Sequence, residues 1–281
     1  MRTTSKKCTK RGLLMSDSIK LFIVEGEERD YRFVKGLTDL FMRGKFEARI
    51  IYLPAAQNIY MLYKKLVEDD FQTDIVEVLR ESSESAKAIL EGISRQRIDE
   101  VFMFFDFDIH QKNIKEQEDA SPEEILMRML QTFDNETENG KLYISYPMVE
   151  ALYDYRENQC QAFYKCLITD DEIGDYKKQS GNNNPRANFH NDIASWEMIL
   201  YNFGLRIKCL FDKDSVDFRT YREQMTVPDI YLRQVSMRKQ YDTTFVLSAL
   251  PEFLYDYFGE NFWHRYWKGM VYHFDSCQRE W

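Results

Sequence analysis

Turn residues are scarce in this chain: 11 Gly and 6 Pro in 281 residues. Collagen-like, linker-like and hairpin-rich all-β architectures each need many more. Cysteine is scarce and odd in number. Cys8, Cys160, Cys166, Cys209 and Cys277 include no CxxC pair, so neither a disulfide framework nor a zinc ribbon follows. A reducing, cytoplasmic setting is the expectation. The four His contain no HExxH. No apolar run approaches the length of a membrane span, the run at residues 21–24 being far too short, so no membrane partner is expected. The opening MRTTSKKCTKRGLLM is basic but lacks the apolar stretch of a signal peptide, and residues 1–15 read as a basic tail outside the fold. Positive charge is also in deficit, with 38 Lys and Arg against 47 Asp and Glu. Such a chain is a poor non-specific coat for nucleic acid. A nucleic-acid enzyme stays open, because a bound divalent cation reverses the local potential.

What is present is a large apolar fraction, 44% with 15% aromatic, enough for one large or two modest packed domains. Ile19–Val24 is apolar on both faces, as in a strand buried mid-sheet. Residues 27–42 read as a helix, with Phe33, Leu37, Leu40 and Phe41 on one face. Residues 46–53 read as the second strand. Ile59, Leu62, Tyr63 and Leu66 form the inward stripe of a second helix. DIVEVL at 74–79 reads as a short strand, followed by a helix over 83–94. VFMFF at 101–105 is the strongest strand signal and runs into Asp106-Phe107-Asp108. Ser121-Pro122-Glu123-Glu124 has the residues of a helix start. Residues 141–145 read as another strand, and Pro147 as the start of a helix carrying Glu150.

This alternation predicts an α/β fold with a doubly wound, mostly parallel sheet over residues 16–155. Residues 156–281 read as a mainly helical substrate or partner region. The polar stretch 177–188 is the best internal boundary.

In such a sheet, ligands sit beyond the carboxyl ends of the strands. Acids occupy that position three times: Glu25 after the first strand, Asp106 and Asp108 after VFMFF, and Glu150 shortly after the YIS strand. Two unit charges 4 Å apart cost roughly 4 kcal/mol at a surface-like dielectric. Gathered carboxylates must therefore be protonated or neutralised, and a hard cation such as Mg²⁺ takes their oxygens readily. Asp106 and Asp108, two apart, would face one side of an ideal strand, with Phe107 turned into the packing. Taken singly, each acid fits a helix cap or a solvated loop. Glu28 and Asp30 fit the first turn of a helix as dipole complements.

FIVEGEERD after a strand, with FMFFDFD about eighty residues later, resembles the Toprim domain of topoisomerases, primases and OLD-family nucleases. The resemblance implies a Toprim-like fold. Glu25 would bind metal or relay protons, Asp106 and Asp108 would hold Mg²⁺ or Mn²⁺, and Glu150 would be the extra acid of the nuclease branch. With VEGEERDYRF, FDFDIH, YPMVEAL and LSALPEFLYDYFG in this order, the chain is similar to the stand-alone Toprim effector subunits (AriB) of the PARIS type of anti-phage defence. For that group the resemblance implies an endoribonuclease that cuts tRNA to stop translation. It also implies restraint by an ABC-type ATPase partner (AriA-like), with a homodimer left open. Arg29 stands where a typical first motif has an acid, and Asp30 comes one later.

Lys177, Lys178, Arg186 and His190 flank the Asn-rich stretch and could track an RNA backbone, or form a plain charged loop. His110 could contact phosphate, or be a solvated loop histidine. Arg206, Lys208, Arg219, Arg222, Arg233, Arg238 and Lys239 interleave with Tyr221, Tyr231 and Tyr241. That suits single-stranded RNA, but the acids among them suit a salt-bridged helical surface equally. Two other readings remain: a non-catalytic regulatory module with an acidic pocket, and a Toprim nuclease directed at DNA.

Overall fold

The computed structural model describes residues 18–54, 58–107, 120–154, 166–183 and 189–267. Asp108, His110, Arg186 and the basic tail 1–15 lie outside the described residues.

Five strands form one sheet: β1 (Ile19–Val24), β2 (Glu47–Tyr52), β3 (Ile98–Asp106), β4 (Asp134–Asn135) and β5 (Gly140–Ser145). Their order is β2-β1-β3-β5-β4. The first four in that order are mutually parallel, and only β4 runs antiparallel, against β5. Every residue of β1 is buried, as a strand covered on both faces requires.

The chain leaves β1 through α1 (Arg29–Phe41) to the edge strand β2. It then returns past β1 to β3 by way of α2 (Ile59–Glu68), α3 (Ile75–Ser82) and α4 (Glu84–Ile89). α5 (Pro122–Thr132) leads on towards β5. Direction reverses at β1, so right-handed crossovers put α1 on one face of the sheet and α2–α5 on the other. The fold is thus α/β with a mostly parallel sheet.

DIVEVL is not a strand. Asp74 caps α3 by accepting from the Val76 N–H at 2.8 Å. The buried Ile75, Val76, Val78 and Leu79 follow helical spacing, and their β-branched composition does not override it. The helix expected over 83–94 is the short α4. The helix expected after Pro147 is a single 3-10 stretch, Val149–Tyr153.

Beyond the sheet come β6 (Leu167–Thr169), α6 (Asp170–Asn183), α7 (Ile193–Leu210), α8 (Phe218–Gln224), α9 (Val227–Tyr241), β7 (Thr243–Phe245) and α10 (Ala249–Trp267). β6 and β7 form a separate antiparallel pair. The boundary expected over 177–188 falls partly inside α6. One apolar core runs from Ile19 to Trp267. Phe253 of α10 sits edge-on to Phe22, Phe102, Phe104 and Tyr143 of β1, β3 and β5. Phe41 of α1 meets Trp196 of α7 and Phe262 of α10 on the same side. Trp263 and Trp267 stack on each other at 3.6 Å and meet Tyr221 and Tyr255, closing the core as their aromatic bulk allows.

Candidate functional site

β1 lies between β2 and β3, and the chain departs from it in both directions. The carboxyl end between β1 and β3 is therefore the switch point at which doubly wound sheets hold ligands. Parallel register sets Val24 beside Phe104, so Glu25 comes next to the end of β3. The backbone N–H of Asp106 donates to Oε2 of Glu25 at 3.2 Å. Asp106 Oδ1 in turn accepts from the Val149 N–H at 2.7 Å. That bond draws the 3-10 stretch, with Glu150 in it, over the end of the sheet. Glu25, Asp106 and Glu150 thus lie at the same end of the sheet.

A fourth acid joins them. Asp30 stands in the first turn of α1, and its side chain is 8% exposed on the inner face of that helix. Burial pushes it up to about 7, the carboxylates of Glu150 and Glu25 adding to the rise, while N–H groups of Asp30 itself and Gly26 oppose it. Asp106 is held well above the ordinary carboxylate range, first by burial, then by Asp30, Glu25 and Glu150. Carboxyls driven up by burial and by neighbouring acids, at the carboxyl end of a sheet, make this a candidate functional site.

Gly26 makes the approach of Asp30 feasible. A Cβ there would lie 2.5 Å from Asp30 Oδ2, closer than such atoms come. The pattern Glu25-Gly26 followed by Asp30 was the available signal for this fourth acid.

Cations border the cluster on one side. Arg29 pairs with Glu150, whose side chain is 3% exposed. Lys177 reaches the same carboxylate at 3.6 Å from an exposed position. Lys177 therefore faces the acids, and Lys178 is exposed beside it. His190 is buried, 5.7 Å from the Phe33 ring. It is not free to track a backbone, because the packing of α1 against residues 189–191 covers it. Much of the Arg and Tyr series is likewise engaged within the protein. Arg206 is buried and donates to the Val246 carbonyl, and Tyr221 and Tyr231 are core residues. Arg219, Arg222 and Arg238 pair with Glu223, Asp256 and Asp170.

Glu25, Asp30, Asp106 and Glu150 are hard oxygen donors of the kind Mg²⁺ or Mn²⁺ takes. A cavity of about 10 Å³ lies between Asp30, Asp106, Ser145 and Val149, room for one water-sized occupant. Among the described residues, no three His, Cys, Asp or Glu side chains stand close enough to hold one ion together. The donors thus fit such a cation in kind and fall short of a closed coordination set. Among the described residues no helix is long and apolar enough to cross a membrane.

No protein-family model matches this chain, and no similar curated protein or solved structure was found.

Proposed function

We propose that the chain is a Toprim-like, Mg²⁺- or Mn²⁺-dependent endonuclease acting on RNA, with tRNA as the substrate class. The observation that carries the reading is the convergence of Glu25, Asp30, Asp106 and Glu150 at the β1/β3 switch point. Glu25, Asp106 and Asp108 would hold the ion, with Glu150 in support. When bound, such an ion orients a phosphodiester, spreads the developing charge and lowers the pKa of a coordinated water.

The chain's own groups have separate tasks. Glu25, fixed by the Asp106 N–H, would either hold the ion or accept the proton of the attacking water. Asp30, buried beside these acids, would add a further oxygen donor to the site. Arg29 screens Glu150 and keeps the cluster from expelling itself. In the same reading the chain is the effector of an anti-phage system, restrained by an ABC-type ATPase partner.

Sequencing RNA ends after brief induction tests this. Wild type should leave new, discrete tRNA ends, and Asp106→Ala and Glu25→Ala should leave none while staying folded. Equal cleavage by both variants would overturn it. A second reading, a regulatory module with an acidic pocket, draws on the same Arg29–Glu150 pair, which occupies one acid without any metal. It predicts no cut in any nucleic acid, even alongside the partner.

A further inference from the structure

At the opposite end of the sheet a second cavity, of about 280 Å³, opens between β5, α8 and α10. Lys141 in its wall pairs with Phe102 in the β3–β5 register, whereas Asp106 pairs with Ser145. Four residues at ~3.3 Å each put ~13 Å between this cavity and the carboxylate site. The volume lies close to the lower end of the ~300–1,000 Å³ typical of small-molecule sites.

Glu252 is the unusual group here. It is 2% exposed, and its Oε2 is buried with no hydrogen-bond partner. A buried orphan carboxyl is costly and needs a reason. Lys141, Tyr143, Arg222 and Asp256 nearby are already committed to one another. Asp256 accepts from Lys141, from Arg222 and, at 2.7 Å, from the Tyr143 hydroxyl. Phe133, Tyr221, Met225 and Pro228 add apolar surface to the wall.

We infer that this cavity is a ligand site for a neutral planar heterocycle of the nucleobase class, held by its hydrogen-bonding edge against Glu252. The charges select a neutral ligand: Lys141 and Arg222 disfavour a cation, while Asp134 and Asp256 disfavour an anion. Burial pushes Glu252 up to about 8 against the pull of Lys141, and this favours the carboxylic acid form. A carboxylic acid sets an O–H donor beside a carbonyl acceptor. Its complement is an N–H beside an acceptor, the edge that nucleobases present. Phe133 and Tyr221, otherwise packed in the core, border the cavity and give such a ligand aromatic surface to meet. The inference does not depend on the nuclease reading, and its test has no cleavage step.

The test is thermal shift and calorimetry on the full chain with adenosine, guanosine, cytidine and uridine, each beside the matching tetranucleotide. At least one nucleoside should bind saturably. Glu252→Gln, which keeps a donor beside an acceptor, should retain binding. Glu252→Leu should weaken it by about tenfold or more without lowering the melting temperature, because it removes an unpaired buried carboxyl. Binding of the nucleoside alone assigns a free metabolite, and binding of the tetranucleotide as well assigns a base carried on RNA. Absence of binding by all four, or undiminished binding by Glu252→Leu, would overturn the site.

Discussion

The Asp106 backbone N–H donates to the Glu25 side chain across 81 positions of sequence. A strand-end carboxylate is thereby held by the neighbouring strand and not left to solvent. The bond fixes where Glu25 points before any ligand arrives, which is the preorganisation that proton transfer at a fixed geometry needs. It also links two of the acids expected at the strand ends.

Arg29 and Lys177 approach the same carboxylate, yet they should differ sharply on removal. The Glu150 side chain is 3% exposed, and Arg29 is its better-buried partner. Arg29→Ala leaves a buried charge short of its counter-ion and should cost about 3–5 kcal/mol in urea unfolding. Lys177 has a 68% exposed side chain, and Lys177→Ala should cost less than about 1 kcal/mol. Adding Glu150→Gln to Arg29→Ala should recover most of the loss.

Gly26 is required by Asp30 and not by its own backbone. Gly26→Ala should destabilise by about 1–3 kcal/mol, the usual cost of overpacking, because its Cβ would meet Asp30 Oδ2 at 2.5 Å. In a double-mutant cycle Asp30→Ala should remove most of that cost. Additive effects would show that the close approach is not what constrains position 26.

Glu252 gives a stability signal with a defined sign. Its folded pKa of about 8 lies above the ordinary 4.5, so between these values the folded state binds more protons than the unfolded chain. Stability from this group is full below about pH 4.5, falls as pH rises, and is lost by about pH 8. The difference is up to about 5 kcal/mol. Lys141, the opposing charge, limits it. Glu252→Gln should flatten the fall, measured as denaturant unfolding from pH 5 to pH 8.5. A wild-type curve parallel to that of Glu252→Gln would contradict the assignment.

Phe253 joins the helical part to the sheet. It contacts rings from β1, β3 and β5 at centroid distances of 4.9–5.9 Å. Phe253→Ala should cost about 3–5 kcal/mol and lower a single unfolding transition. Two separated transitions in wild type would show that the parts fold independently.

How much of this could be read from the chain depends on how local each signal was. β1 and β3 were legible because each ends in an apolar run, residues 21–24 and 101–105, as burial on both faces requires. Glu25 and Asp106 followed from them, since parallel strands end together. DIVEVL misled because Ile and Val favour strands, whereas the capping Asp74 and the spacing of Ile75, Val78 and Leu79 favour a helix. Asp30 was hidden by a plausible local role in the first turn of α1, and only the tertiary fold turns it inward. The Arg29–Glu150 pair spans 121 positions, and no local pattern encodes it. The Arg and Tyr series fitted an RNA surface and a salt-bridged helical surface equally, because composition carries no record of which side chains are buried or paired.

The most direct test of the central claim is a calorimetric Mn²⁺ titration of wild type, Asp106→Asn and Glu25→Gln at neutral pH, on metal-free protein. The account predicts saturable binding by wild type with a rise in melting temperature, and affinity at least about tenfold weaker in each variant. Wild type that binds no Mn²⁺ at millimolar concentration, or variants that bind it equally well, would contradict it.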